Sequence, residues 1–248
     1  MRKIMGWSVA AWLLLCGSGH AGVIVESSRV VFSAADRERS LLMSNGNSYP
    51  VIVQTWIDDG APEGTPETAG EVPVLPLPGI FRLEPGEQKN LRLLATQIPQ
   101  PKDRESLYWL NIYEIPPTDA NLPPGVSAVK VAVRLQLKMF YRPQNLKPAV
   151  DKLVEHQQFS LIRQPGTLKL KVDNASPYYA TYSAARLTGG GKSKALTVGM
   201  LAPFSQRTLD IGGDATWQPD SISYVLINDD GNGVEGKKVL SSINSLLL

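Results

Sequence analysis

Short runs that alternate apolar and polar residues dominate the chain after residue 21, and clusters of Gly, Pro, Asn, Asp and Ser separate them. This period of two is typical of half-buried β-strands, and no run has the 3.6-residue spacing of a long amphipathic helix. Seven runs precede residue 142, and they predict strands at residues 23–33, 40–44, 51–57, 80–83, 89–95, 107–115 and 129–141. Seven strands are the number in one immunoglobulin-like β-sandwich.

A polar, proline-containing segment at residues 142–148 interrupts the pattern and is typical of a linker between domains. Beyond it the alternation resumes and predicts strands at residues 159–163, 168–172, 179–187, 205–209, 221–227 and 237–240. The sequence therefore predicts an all-β chain of two tandem immunoglobulin-like β-sandwiches. We place the first domain at residues 22–143 and the second at residues 144–248.

The segment from Val129 to Met139 alternates without a break, with every odd position apolar and every even position polar or small. At about 3.4 Å per residue these eleven residues span about 37 Å. A typical strand spans only about 17–20 Å. Either all six apolar side chains face the core of their own domain, or one end extends beyond the sandwich. An overhanging end could add itself to the sheet of another protein.

Residues 1–21 have the three parts of a secretory signal peptide. Arg2 and Lys3 provide a positive start, an apolar run follows, and Gly19 and Ala21 occupy the small-residue positions before a cleavage site. The apolar run is too short to span a membrane. We therefore expect export and cleavage after Ala21.

Cleavage would change the charge and the chemistry of the chain. Arg2 and Lys3 are two of the 25 basic residues, so 23 would remain against 23 acidic ones, leaving no basic field for nucleic acid. Cys16 is the only cysteine, and His156 would become the only histidine. A Cys/His zinc site and a cysteine nucleophile are then excluded, and no G-x-S-x-G elbow accompanies His156. We expect no enzyme activity, metal, cofactor or small-molecule substrate.

Two glycine-rich segments resemble ligand loops but lack the required spacing. Residues 189–193 resemble the end of a phosphate loop, yet Arg186 occupies the position of its first glycine. Residues 228–233 do not meet the acidic spacing of a calcium loop, and β-like runs flank them. We therefore predict a hairpin tip and a turn.

Four longer motifs, at residues 82–86, 103–117, 138–143 and 224–229, resemble those of the periplasmic pilus-assembly chaperones of the chaperone–usher pathway. They cover both predicted domains in the family's order. The resemblance implies two immunoglobulin-like domains arranged in an L. It also implies a periplasmic chaperone that captures pilin-like subunits by donor-strand complementation and delivers them to an outer-membrane usher for fimbria assembly.

The same resemblance implies a binding site for the subunit. Val129, Val131 and Val133 match the alternating residues that family members insert into the subunit's groove. Arg29 and Lys138 match the pair that binds the subunit's C-terminal carboxylate in the cleft between domains. Two fixed cations suit a carboxylate, because each charge-assisted hydrogen bond is worth about 1.5–3 kcal/mol.

Further expectations follow from the resemblance. Glu105, Arg142 and Asp229 match an interdomain salt-bridge cluster, which could specify domain orientation. The connection at residues 118–128 is a few residues longer than in the short-loop subgroup, but it lacks the cysteine pair associated with the long-loop subgroup, so the resemblance favours the short-loop one. An exposed apolar edge would also allow the free chain to cap itself as a dimer. The apolar tail at residues 246–248 has no explanation in this scheme.

Two other functions stay open from the sequence alone. An exported adhesin or carbohydrate-binding module would need an exposed aromatic platform, but Trp56, Trp109 and Trp217 are scattered along the chain. A secreted hydrolase is disfavoured because the exported chain would keep a single histidine.

Overall fold

The structure is a computed structural model. It describes residues 22–96, 100–118, 131–164, 166–212 and 216–244. In this part of the chain two β-sandwiches follow one another, each with its own apolar core, which confirms the predicted all-β tandem architecture. The predicted signal peptide at residues 1–21 lies outside the described residues.

The described strands of the first domain belong to two sheets. These strands are β1 (Val23–Val25), β2 (Arg29–Ser33), β3 (Glu38–Asn45), β4 (Val51–Asp58), β5 (Val74–Leu77), β6 (Ile80–Leu83), β7 (Gln88–Ala95), β8 (Ser106–Ile115) and β9 (Val133–Arg142). One sheet has the order β1-β3-β7-β5 and the other the order β2-β9-β8-β4-β6. Neighbouring strands are antiparallel except β2 and β9, which run parallel. Alternate side chains of both sheets, such as Phe32, Leu91 and Met139, form the core between them.

The first predicted strand, residues 23–33, is wrong as a single element. The chain leaves one sheet after β1, which pairs with β3, and enters the other sheet at β2, which pairs with β9. Ser27 marks the break, because its Oγ donates to the carbonyl of Arg29 at 2.6 Å and accepts from the amide of Arg29 at 3.4 Å. Such a local side-chain bond competes with the ladder and bends the strand.

The second domain repeats the two-sheet plan. Its described strands are β10 (Gln157–Gln164), β11 (Thr167–Asn174), β12 (Ala180–Gly189), β13 (Lys192–Leu196), β14 (Met200–Leu201), β15 (Ser205–Asp210), β16 (Ser221–Ile227), β17 (Gly233–Val239) and β18 (Ser241–Asn244). The sheets have the orders β15-β11-β10-β18 and β13-β12-β16-β17, and β14 pairs with β12. Between β9 and β10 the chain forms a 3-10 turn at Val150–Lys152, so the predicted domain boundary after residue 143 falls within this connection.

Several observed strands have no clear signal in the sequence. β5 contains Pro76, which cannot donate to a ladder, but β5 is an edge strand and tolerates it. β13 is also an edge strand, and most of its residues are exposed, so it lacks the apolar alternation that predicts a strand.

The two predicted glycine-rich turns are confirmed. Gly190 and Gly191 adopt positive φ in the hairpin between β12 and β13, and a turn at residues 228–232 joins β16 to β17.

The core of the second domain contains buried phenols. Tyr224 is 2% exposed, and its hydroxyl donates to the carbonyl of Val154 at 2.7 Å. Burial raises the pKa of Tyr224 to about 12. Burial also raises the pKa of Tyr182, whose hydroxyl donates to Gln157 Oε1 at 2.6 Å. The folded domain therefore resists deprotonation of these groups.

We expect Tyr224→Phe to lose less free energy of unfolding than the wild type when the pH is raised into the alkaline range. The unfolded tyrosine loses its proton near pH 10 and the folded one near pH 12, so the free energy of unfolding falls as pH rises through this window. Phenylalanine has no such proton and should remove this contribution, at a cost of about 1 kcal/mol at neutral pH for the lost hydrogen bond. Urea unfolding of both proteins at pH 8 and pH 11 measures it. Identical losses of stability in the two proteins would contradict the assignment.

Candidate functional site

The apolar row of the long strand divides into a buried and an exposed half. Met139 is 0% exposed and Leu137 4%, whereas Val133 is 51% exposed and Val131 70%. Leu135, between them, is partly buried and packs against the core. One end of the row therefore belongs to the domain's own core and the other end faces solvent. Val129 lies outside the described residues.

The predicted strand at residues 129–141 is too long at its beginning, since β9 starts at Val133 and residues 131 and 132 are described without strand pairing. The last pair of the β8–β9 ladder is Glu114 with Val133. Pro116 and Pro117 follow shortly after the end of β8. Because proline has no N–H to donate, it cannot continue the ladder.

β9 also has a free edge within the described residues. Its pairing with β2 begins only at Lys138, opposite Arg29, and continues to Arg142 opposite Ser33. The neighbouring strand β1 lies in the other sheet, so the edge of β9 from Val133 to Leu137 has no described partner. An unpaired edge next to an exposed apolar row is the arrangement that accepts an added strand.

Arg29 and Lys138, the predicted carboxylate pair, lie side by side at the end of this free edge. Burial lowers the pKa of Lys138, and the nearby charge of Arg29 lowers it further. Burial also lowers the pKa of Arg29, and the charge of Asp229 opposes this shift. Arg29 Nη1 donates to the carbonyl of Ile227 at 3.3 Å, while its Nε is buried and has no partner among the described residues. Two close cations with an unsatisfied donor favour a bound anion.

The second predicted set forms one ion cluster between the domains. Arg142 Nε donates to Glu105 Oε1 at 2.6 Å, and its two terminal nitrogens donate to the carboxylate of Asp229 at 2.6 and 2.7 Å. Glu105 is 3% exposed, and its other oxygen accepts from the amide of Tyr179 at 2.8 Å. Because Asp229 and Tyr179 belong to the second domain, Arg142 and Glu105 connect the two sandwiches.

Burial makes each charge of this cluster depend more strongly on its partners. Burial alone would lower the pKa of Arg142, but the hydrogen bonds to Asp229 and the charge of Glu105 outweigh that effect and raise the pKa. Burial raises the pKa of Glu105, and Arg142 and the amide of Tyr179 oppose the shift. The buried carboxylate of Glu105 therefore depends on the guanidinium, and loss of Arg142 would leave it without its cation.

Aromatic side chains that the sequence does not single out complete this interface. The guanidinium of Arg142 lies 5.2 Å from the ring centre of Tyr178, and Phe140 and Tyr179 have ring centres 5.6 Å apart. Next to them is a cavity of about 340 Å³ between the domains. Its walls include Arg29, Glu105, Phe140, Arg142, Tyr178, Tyr179, Leu226 and Asp229. The sequence gives no signal for Tyr178 and Tyr179, because their role depends on the domain arrangement.

The tryptophans do not form an exposed platform in the described part of the chain. Trp56 is 7% exposed, Trp109 is half-buried in β8, and Trp217 is half-buried in the second domain. Among the described residues, no group of three or more His, Cys, Asp or Glu is arranged to hold a metal ion. No helix in the same residues is long and apolar enough to cross a membrane.

Comparisons with known proteins identify the family of the chain. The family model described as "Pili and flagellar-assembly chaperone, PapD N-terminal domain" matches residues 22–147, and "Pili assembly chaperone PapD, C-terminal domain" matches residues 155–238. The probable fimbrial chaperone YadV of Escherichia coli K12 is 29% identical over 222 residues, which are 88% of this chain and 90% of YadV.

Solved structures show the same fold. The Pseudomonas aeruginosa CupB2 chaperone superimposes with a TM-score of 0.72 at 34% identity, over 88% of this chain and all of the other. The SafB chaperone of Salmonella enterica, solved in complex with the SafA pilin, gives 0.71 at 27% identity over 88% and 96% of the two chains. The two family models and these structures place the chain in the class of pilus-assembly chaperones. The chain belongs to the PapD-like family of pilus-assembly chaperones.

We expect Arg142→Met to destabilise the protein by about 3–5 kcal/mol, because it leaves the buried carboxylate of Glu105 without its cation. Arg92→Met is the matched control, since Arg92 pairs with Glu38 on the exposed surface. Urea unfolding at pH 7 measures both. The double variant Glu105→Gln/Arg142→Met should recover part of the loss. Equal stability of the Arg142 and Arg92 variants would contradict a structural role for the cluster.

Proposed function

We propose that the chain is a periplasmic chaperone that captures pilin-like subunits by donor-strand complementation and delivers them to an outer-membrane usher for fimbria assembly. The observation that carries the proposal is the divided row of β9, with Val131 and Val133 exposed while Leu137 and Met139 are buried. Family membership and the SafA–SafB complex of a relative support it. The usher and the periplasmic location rest on the family, and export rests on the signal-peptide pattern of residues 1–21.

The free edge of β9 indicates where a subunit strand would lie. A strand added beside residues 133–137 would occupy the lane that β2 fills further along. If it ran parallel to β9, as β2 does, its C-terminus would end beside Arg29 and Lys138. The added strand would gain backbone hydrogen bonds from β9, and its domain would receive the alternate side chains Val129, Val131 and Val133.

The energies are sufficient for capture. Complete burial of a valine side chain contributes about 1.5–3 kcal/mol, so three valines and the added ladder can exceed the costs of association. The two cations would each add a charge-assisted hydrogen bond to the terminal carboxylate. Because a chain has only one C-terminus, this contact would also fix the register of the added strand.

The interdomain cluster would keep the carboxylate site in place. Asp229 pairs with Arg142 and also acts on the charge of Arg29, so the second domain supports both the cluster and the cation pair. We propose that Glu105, Arg142 and Asp229 fix the orientation of the domains around the cleft. The self-capping dimer stays a prediction, which the same exposed edge supports.

We expect Arg29→Ala/Lys138→Ala to fold normally and to lose subunit capture, because the terminal carboxylate would lose its cations. The control is Arg82→Ala/Lys89→Ala, which removes two surface cations from the same domain. The test is co-purification from the periplasm of the native host, with mass spectrometry of bound proteins. A small β-rich subunit should accompany the wild type and the control at one to one.

Two outcomes would contradict the proposal. A wild-type chain recovered only as free monomer, while the host expresses pili, would overturn capture itself. A cation-pair variant that retains its subunit at the wild-type yield would overturn the carboxylate site and leave strand addition in place. Circular dichroism and thermal unfolding establish that the variants are folded.

A further inference from the structure

A buried polar network lies on the face of β9 opposite the apolar row. Asp58, at the end of β4, is 2% exposed, and its Oδ2 accepts from Trp56 Nε1 at 2.8 Å and from Arg134 Nη2 at 3.1 Å. Its Oδ1 accepts from the amide of Gly60 at 2.8 Å. Nothing in the proposed capture step uses this ion pair, although a buried ion pair is costly to assemble.

Arg134 is the centre of this network. Besides Asp58 it donates through Nη1 to the carbonyl of Pro62 at 2.8 Å and through Nε to Asn111 Oδ1 at 2.8 Å. Its guanidinium also lies 4.9 Å from the ring centre of Trp56. One side chain therefore connects β9 to β4, to β8 and to the loop that follows Asp58.

Arg134 lies at the N-terminal end of β9, where the strand leaves its ladder with β8. Arg134 directly follows Val133, where the ladder with β8 ends and the exposed part of the strand begins. Side chains alternate across a strand, so Arg134 points away from the face that carries Val131 and Val133. The network can therefore hold the backbone at the N-terminal end of β9 without covering the apolar row.

The loop after Asp58 is also connected to Lys138 through Trp109. Gly60 lies against Trp109 so closely that a Cβ added at Gly60 would come within 2.3 Å of the indole ring. Trp109 is opposite Lys138 in the β8–β9 ladder, and the ammonium of Lys138 is 5.9 Å from the ring centre. Gln136, between Arg134 and Lys138, donates to Asn111 Oδ1 at 3.0 Å. Arg134, Gln136 and Lys138 alternate with the apolar row of β9, and Gln136 and Lys138 contact the same network that contains Arg134. We call this network the brace and define it by these residues: Trp56, Asp58, Gly60, Trp109, Asn111 and Arg134.

We propose that Arg134 is a positioning residue for subunit capture, which ties the loop after Asp58 to β9 and keeps the donor end of that strand extended before a subunit binds. The inference rests on the proposed function. An unbraced strand would lose backbone freedom on binding, and pre-organisation removes that cost from the association.

The test uses two variants with matched controls. Arg134→Gln removes the ion pair with Asp58, and Arg82→Gln removes an exposed arginine of the same sheet. Gly60→Ala disturbs the loop against Trp109 and alters no charged group. Gly70→Ala is its control, because both glycines have positive φ and no atom lies within 4 Å of a Cβ added at Gly70.

Two readouts are needed on the full exported chain. Amide hydrogen exchange of the free protein reports how firmly residues 131–137 are held. Binding of the pilin-like subunit that co-purifies with the wild type reports capture. We expect both brace variants to exchange faster in residues 131–137, with the second domain unchanged, and to bind the subunit about tenfold more weakly. The two controls should behave like the wild type.

Each other outcome decides the proposal. Wild-type exchange in both brace variants would overturn it, and so would faster exchange with unchanged subunit binding. Weaker binding with unchanged exchange would indicate direct contact with the subunit and would also overturn positioning. If Arg134→Gln does not fold, Gly60→Ala decides, because it keeps all charges. Absence of any subunit on the wild type would instead contradict the proposed function.

Discussion

The candidate site is built around one unpaired strand edge. β9 has a complete neighbour on one side, β8, and a partial neighbour on the other, β2, which begins only at Lys138. Exposed strand edges invite aggregation, and natural proteins normally cover them. In this domain β1 turns into the opposite sheet and does not continue along β9, so the edge from Val133 to Leu137 stays uncovered in the described structure. The geometry thereby combines a backbone edge, an apolar row and a pair of cations along one line.

Two polar networks contact β9, one near each end of the strand. The brace holds the outward face of β9, and the cluster of Arg142, Glu105 and Asp229 connects its C-terminal end to the second domain. Buried ion pairs are weak sources of net stability, but they restrict geometry because a displaced charge is costly. Both networks are therefore suited to keeping a binding surface in one arrangement.

The sequence predicted the architecture well, since period-two runs such as the one in β16 identify half-buried strands directly. It failed where tertiary context decides, as in the break at Ser27 that divides residues 23–33 between two sheets. The exposed end of β9 could be stated only as an alternative, because periodicity gives the face of a side chain and not what covers it. Residues such as Glu105 and Asp229 became candidates through family resemblance alone. Asp58 and Arg134 are 76 positions apart, and no local pattern connects them.

The most direct test of strand donation is the accessibility of the donor side chains before and after capture. Residues 22–248 contain no cysteine, so Val131→Cys, Val133→Cys and Ile80→Cys each introduce a single thiol after signal cleavage. Ile80 is 64% exposed on β6, at the far edge of the same sheet, and serves as the control. All three thiols should react with a maleimide in the free protein. In the complex with the co-purified subunit, positions 131 and 133 should be protected while position 80 still reacts. Full labelling of positions 131 and 133 in that complex would contradict the account.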